Sequence, residues 1–589
     1  MDYSNTSELN IPEGTIIAET LLHIFNYEKL SELYSFLHDK DPIFVIDSLF
    51  GQLDLNYLIP EEDLKNIPSE GPFITVSNHP YRGIDSMILY KIVAAQRKDF
   101  KILGSFLLHQ IEPLRDIVIP VNTHETEFVK SSYPGIKQAI NHLLTGQPIG
   151  IFPTGDTTEP IESSRVILDN IWQPASLKFI KKSGVPIIPV YFHGTNSRLK
   201  HMMGKIHPIL RHTKLPSELL HNGSRTVKVR IGSPVSPKDQ EAFDDITHFG
   251  RYLRARVYSL GSAIEVKKFS INRKRHKKIK PEPVVERIHS NILKEEFESI
   301  RIGYELFSTK NFSVICAPAE KIPFIFNEIG RLRELTFRNV GEGTNKSTDI
   351  DEYDFYFNHL FIWDNDADKV VGAYRIGKGK DIIEGYGIRG FYINSLFRLK
   401  SGFQPVLSQS LELGRSFISG EYQRKTIPLF LLWKGIMVFL LKNPEYRYLI
   451  GPVSISNDFS KFSKSLIVEF IMKYFNDEKY DGFVVPRKDF IVTPDKAIDR
   501  SIFIDTSESD INKIEKIIID IEPGYRLPVL LKKYLEINGR IIGFNIDPKF
   551  NYCLDGLLIL DLYNIPGDYI MGLSRQLNDE SIMARFKAH

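Results

Sequence analysis

Apolar residues in the first 260 or so positions of the chain fall into short runs that stop at turns, separated by stretches with a helical period. FITVS at 73–77, IGIFP at 149–153 and VPIIPVYF at 185–192 read as buried strands, with helical patterns at 86–96 and 133–144 between them. This alternation predicts an α/β sheet whose loops at the strand ends carry the chemistry. The second half is also mixed: HLFIWD at 359–364, KVVGAYRI at 369–376 and LELGRSFI at 411–418 read as strands, and a helix follows at 428–441. The apolar run LFLLWKGIMVFLL at 429–441 is too short to span a bilayer and carries Lys434, so it predicts a buried helix. No repeat at solenoid spacing is present.

Charge patterning divides the chain. The segment VKKFSINRKRHKKIKPEPVV at 266–285 holds eight Lys or Arg, one His and two Pro, with little apolar periodicity. It predicts a first domain at 1–265, a basic linker at 266–285 and a second domain at 286–589. The linker reads either as a solvated connector or as a contact for an anionic membrane, where each clustered basic residue gains about 1 kcal/mol. Without aromatic interleaving or a recognition module it does not predict nucleic-acid binding. Across all 589 residues, 75 Lys+Arg against 73 Asp+Glu leave a net charge of +2, which gives no whole-chain attraction to nucleic acid or lipid. Two cysteines exclude a disulfide framework and a four-cysteine zinc site, and fit a reducing compartment. The polar, acidic start MDYSNTSELN predicts no secretory signal. A soluble or peripheral intracellular enzyme without metal or bound cofactor is the expectation.

In the first half, SNHPYRGIDS places His79 and Asp85 just after a predicted strand. A histidine beside a carboxylate can take a proton from an alcohol while the carboxylate fixes its tautomer, although a lone loop histidine is more often structural. Three later blocks add to it: LRDIVIPVN with Arg115 and Asp116, IFPTGDTTEP, and VPIIPVYFHGTNSR. In that order, with RIGSPVSP at 230–237 as closing strand, the blocks resemble the glycerolipid acyltransferases over about 55–260, and especially their hemolysin-like bacterial branch. The resemblance implies acyl transfer from a thioester to a lipid hydroxyl, with His79 as general base and Asp85 as its partner. Arg115, Thr154, Gly155 and Asp156 would bind substrate. Two departures stand out: five residues separate His79 from Asp85, where the broad family has four, and Thr154 replaces the family's acidic residue before the glycine. A hydroxyl acceptor other than glycerol phosphate is therefore expected.

In the second half, Asp351, Glu352, Asp354, Arg375, Glu412 and Arg415 lie near predicted strand ends. Singly, each pair reads as a surface ion pair. Glu412 and Arg415 are three apart, so on a regular strand they face opposite sides, and a bulge would be needed to bring them together. From about 330 to 456 the order Arg333, Phe337, Asp351, Asp354, Arg375, Glu412, Arg415 resembles the N-acyltransferases that make lyso-ornithine lipid and, more distantly, the acyl-homoserine-lactone synthases, both GNAT-like. The tail segment LPVLLKKYLEINGRIIGFNIDPKFNYCLDGLLIL resembles the end of the hemolysin-like N-acyltransferases. The implied chemistry is attack of an amino-acid amine on an acyl thioester. Glu412 would be the acid/base and Arg415 its catalytic partner, with Arg375, Asp351 and Asp354 binding substrate. GEYQRKTIPLFLL has no glycine-rich turn for CoA pyrophosphate, which points to an acyl-carrier-protein donor over acyl-CoA.

The two halves together resemble the fused bifunctional ornithine-lipid synthases. Two mixed α/β acyltransferase domains are thus expected, the first glycerolipid-acyltransferase-like and the second GNAT-like. They would act on ornithine or a similar amino acid and then on a lyso-aminolipid, at the inner face of a bacterial cytoplasmic membrane. A single N-acyltransferase with a degenerate first half, or a non-catalytic membrane-binding protein, are the alternative readings.

Overall fold

A computed structural model of the chain describes residues 40–577 and 583, other than 53–54, 81–83, 106–108, 110–111, 122–132, 155–171, 194–224, 263, 265–280, 340–342, 424 and 493–497. Most of the basic linker, Gly155 and Asp156 therefore lie outside the described residues. The fold forms two compact units.

The first unit is built on a seven-stranded sheet of β1 (Leu55–Leu58), β2 (Ile74–Ser77), β3 (Lys101–Ser105), β4 (Val118–Val121), β5 (Ile149–Ile151), β6 (Ile187–Phe192) and β7 (Arg225–Ile231). Their order is β1-β7-β6-β2-β5-β3-β4. All pairings are parallel except β6 with β7. Every residue of β2, β5 and β6 is buried, as expected of central parallel strands covered on both faces. Helices α1 (Pro42–Gln52), α2 (Ile84–Ala94), α3 (Tyr133–Leu144), α4 (Pro174–Ser183) and α5 (Ile246–Ser259) accompany the sheet. Phe73, Ile88, Leu89, Phe100, Val190 and Phe192 share its core.

The second unit holds an eight-stranded sheet. Its strands are β8 (Glu305–Ser308), β9 (Phe312–Pro318), β10 (Asn358–Asp364), β11 (Lys369–Lys378), β13 (Ser410–Ile418), β14 (Tyr448–Ile455), β16 (Arg540–Asp547) and β17 (Cys553–Asp561). A separate pair joins β12 (Phe397–Leu399) to β15 (Val484–Pro486). The large sheet, ordered β16-β17-β14-β13-β11-β10-β9-β8, is antiparallel except between β13 and β14. Strand alternation sends neighbouring residues to opposite faces. Ile315, Phe361 and Trp363 pack with α6 (Ser290–Tyr304) and α7 (Pro323–Asn339), where Phe297 stacks on Trp363 at 4.7 Å. Val314 and Leu360 instead meet α8 (Thr426–Lys442), whose Gly435 approaches so closely that a Cβ would lie 2.9 and 3.0 Å from their side chains. The apolar run at 429–441 is thus core helix, and among the described residues no helix is long and apolar enough to cross a membrane. Helix α9 (Lys461–Tyr474) starts on Ser460, whose hydroxyl accepts from Ser463 N at 3.0 Å.

The division departs from the expected contiguous range 286–589. Residues 494–508 and 512–524, with α10 (Arg500–Ser507) and nearly all of α11 (Ile511–Ile521), belong to the first unit. The physical reason is a buried ionic network. Arg230 pairs with Asp63 at 2.7 Å and donates to the last-turn carbonyls of Asp520 and Ile521 at 3.0 and 3.1 Å. Asp520 also pairs with Arg256 of α5 and accepts from Ser233 Oγ at 2.6 Å. Buried guanidinium groups need such acceptors, and the negative end of a helix supplies them.

Candidate active sites

In the first unit, His79 follows β2 and Asp85 lies in the first turn of α2. Their side chains meet at 2.9 Å between Nδ1 and Oδ2, with Asp85 fully buried. The helix terminus favours the Asp85 carboxylate, and the contact gives the histidine the Nδ1–H tautomer that directs its Nε2 lone pair away from Asp85. The backbone before His79 is pinned by Asn78. Its amide donates to Phe192 O at 2.8 Å and accepts from Phe192 N at 2.7 Å, extending the β2–β6 ladder by one side chain. Phe152, just past β5, packs its ring 4.3 Å from the imidazole. Asn78 and Phe152 were missed by the sequence reading, although Asn78 stands beside His79 in the SNHPYRG block.

Thr154 also follows β5, so the parallel register places it at the same carboxyl edge of the sheet as His79, where α/β folds carry their sites. It is buried, and its Oγ1 has no partner among the described residues. Arg115 is not brought to this edge. It is exposed, in a short 3-10 helix, three residues before β4 begins. The register Ile74↔Ile149↔Lys101, with Ile102↔Val118, puts the start of β4 level with the starts of β2, β3 and β5. Arg115 therefore sits at the amino-terminal end of the strand, at the opposite edge of the sheet from the histidine.

The second unit gathers nearly all of its charged candidates. Arg333 of α7 is 1% exposed and forks onto Asp354 with two bonds of 2.8 Å, and its Nε meets Asp349 at 3.2 Å. Arg375 pairs through Nη1 with Asp351 at 2.5 Å and Asp354 at 3.2 Å. Arg415 joins Asp351 at 3.2 Å and Asp349 at 3.5 Å. Burial opposes the charge on Asp354, but Arg333 and Arg375 outweigh it and hold the carboxyl well below its usual range. His359 donates Nε2–H to Asp354 O at 2.9 Å, and burial pulls its pKa down to about 4, so it is neutral. Asp349 was missed by the sequence reading; only its spacing from Asp351 hinted at it.

A bulge does what the regular strand could not. On β13, Gly414 pairs with Arg375 and Phe417 with Ala373, leaving two residues of β13 opposite Tyr374. Arg415 takes the left-handed conformation there, at φ 53°. Its guanidinium swings over the Tyr392 ring at 5.3 Å, while Glu412 accepts from the Tyr392 and Ile393 amides at 3.1 and 2.7 Å. Arg375 lies 5.1 Å from the same ring. Burial raises Glu412 to about 7, against the lowering effect of those amides and of Arg375. A carboxyl that changes charge near neutrality, beside fixed positive groups, can move a proton at working pH. Adjacent to this cluster, the parallel ladder of β13 with β14 runs only from Ser410 to Glu412 and then stops.

The families that the two α/β units match make this chain an acyltransferase. Residues 22–267 match the protein-family model described as Acyltransferase, and residues 332–433 the one described as Acetyltransferase (GNAT) domain. Among curated proteins, the chain is similar to the glycine N(alpha)-acyltransferase of Bacteroides thetaiotaomicron, 29% identical over 46% of this chain and 82% of that protein. The Phocaeicola vulgatus protein of the same name is 29% identical over 46% of this chain and 85% of its own length. The lyso-glycine lipid O-acyltransferase of Bacteroides thetaiotaomicron is 23% identical over 39% of this chain and 85% of that protein.

Proposed function

We propose that the chain makes an aminolipid by two acyl transfers, the second unit forming an amide and the first an ester. The supporting observation is that one chain carries two separate proton-handling constellations, His79–Asp85 and the Arg–Asp–Glu412 cluster. In the second unit the acceptor amine attacks the thioester carbonyl carbon, its proton passes to Glu412, the C–S bond breaks, and Glu412 returns that proton to the departing thiolate, which leaves as the thiol. Arg375 and Arg415 hold acceptor and developing charge. In the first unit His79 takes the proton of a 3-hydroxyl as it attacks a second thioester, Asp85 stabilises the imidazolium, and the C–S bond breaks as the imidazolium gives that proton to the departing thiolate. An amino acid such as glycine or ornithine has no hydroxyl to esterify, so amide formation comes first, against the order of units in the chain. The names of the similar proteins favour glycine over ornithine as head group.

The donor in this reading is an acyl-carrier-protein thioester, since the segment between β13 and α8 has no glycine-rich turn to hold a pyrophosphate. Peripheral attachment to the cytoplasmic membrane face, aided by the basic linker, brings the enzyme to its lipid product. Lipid extracts of a heterologous bacterial host expressing the chain test the proposal. A new diacyl aminolipid supports it; a monoacyl product alone reduces the chain to an N-acyltransferase, and no new lipid rejects the reading.

A further inference from the structure

Two buried groups of opposite charge in the second unit each keep one face without a partner. Arg375 is 1% exposed and engages Asp351 and Asp354 through Nη1, while its Nε and Nη2 have no hydrogen-bond partner among the described residues. An Nε/Nη2 edge is a fork that can hold a carboxylate by two parallel N–H···O bonds. Gly414 stands opposite Arg375 across the β11–β13 ladder. A Cβ on Gly414 would lie 3.9 Å from Nε and 4.0 Å from Nη2, with no other outside atom within 4 Å. Glycine at this position thus keeps a side chain off that edge, whereas a Cβ would come into van der Waals contact with it.

Asp547 ends β16 and is 2% exposed. Its Oδ1 accepts from Lys549 N at 2.8 Å, the Phe550 amide also acts on the carboxyl, and Oδ2 itself has no hydrogen-bond partner among the described residues. Asp547 interacts electrostatically with Arg415 and with Tyr392, the ring that both Arg375 and Arg415 overlie. Phe550, in the turn after Asp547, stacks 4.4 Å beneath the Arg415 guanidinium and ties the hairpin to the cluster. A buried polar group left unpaired costs about 1–3 kcal/mol, and more when charged, so a ligand that paired both groups would recover that cost. A zwitterion does so: one end is a carboxylate, the other an ammonium.

We propose that the β16–β17 hairpin completes the acceptor site, with Asp547 receiving the ammonium of an α-amino acid whose carboxylate lies on the Arg375 edge above Gly414. This rests on the N-acyltransfer reading of the second unit and adds two residues to it. Asp547 lies outside the segment matched as a GNAT domain, so the hairpin supplies what that segment lacks. The bound ammonium gives one proton to solvent to become the attacking amine, which Asp547 holds in place, and Glu412 remains the acceptor of the proton released as the amide forms.

The test uses the full chain, with glycine as acceptor and methylamine and acetate as single-charge probes. Amide formation is followed by mass spectrometry and binding by calorimetry. Asp547→Asn keeps the oxygen that caps the Lys549 amide, so it should fold; its KM for glycine should rise about 10- to 100-fold with a smaller change in kcat. Gly414→Ala should raise KM for glycine by about 10-fold or more, because the methyl group occupies the carboxylate's place. The unaltered chain should bind glycine more tightly than either probe. Amide formation with the KM of both variants unchanged would overturn the proposal and leave the N-acyltransfer reading standing. Glycine binding that depends on Asp547, in a chain that forms no amide, would support the site and remove that reading.

Discussion

Replacing Glu412 by Gln tests the proposed acid/base directly. Burial lifts this carboxyl from 4.5 to about 7, a difference worth about 3 kcal/mol at about 1.4 kcal/mol per pH unit. The sign follows from linkage: with the folded value above the unfolded one, the stabilising contribution is full below 4.5 and is lost as pH rises through about 7. Glutamine cannot ionise, so that pH-dependent loss disappears. It still offers one oxygen to the Ile393 amide but turns an NH2 toward the Tyr392 amide, at a cost of about 1–3 kcal/mol. Above neutrality the two effects roughly cancel, and the variant should stay folded. As a base, Glu412 acts ionised, about half populated at pH 7 and about a tenth at pH 6, so amide formation should rise through a midpoint near 7. The glutamine variant should lose about 100-fold or more in kcat and lose that midpoint. A further rise at higher pH, from the acceptor's own ammonium, should remain. The assay is amide formation from glycine and a 3-hydroxyacyl thioester between about pH 5 and about pH 9, alongside ester formation on a supplied lyso-lipid, which should be unaffected. A glutamine variant that kept the step near pH 7 would refute the assignment.

Three other outcomes are expected. His79→Ala should cost about 100-fold or more in ester formation while sparing the amide, so mass spectrometry of lipid extracts should show monoacyl aminolipid accumulating. Asp520→Ala removes the shared partner of Arg256 and Ser233 and should destabilise the first unit by about 3–5 kcal/mol, read as earlier denaturant unfolding and faster proteolysis of that unit. Both cysteines are buried, and burial pushes the Cys316 thiol far above its usual range. A disulfide reagent should therefore leave the native chain unmodified and titrate two thiols after denaturation.

Much of the architecture was legible along the chain because strands and helices announce themselves by local periodicity. The expected strands at 359–364, 369–376 and 411–418 fall on β10, β11 and β13, and the apolar run at 429–441 lies within α8. The His79–Asp85 pairing was also local, since six positions across one turn and the start of a helix suffice to bring the side chains together. Tertiary structure decided what depends on register and long separation. Only the bulge, with Arg415 at φ 53°, carries that guanidinium over Tyr392 above the amide that Glu412 holds, and no propensity in LELGRSF specifies a two-against-one pairing with β11. Arg115 looked like part of the first site until strand register set it at the wrong end of β4. The placement of α11 with the first unit, and of Asp547 beside Arg415, joins residues more than a hundred positions apart. The placement of α11 is chosen by the need of buried Arg230 and Arg256 for acceptors and opposite charge. That need arises only when the whole chain has closed around them and water is gone.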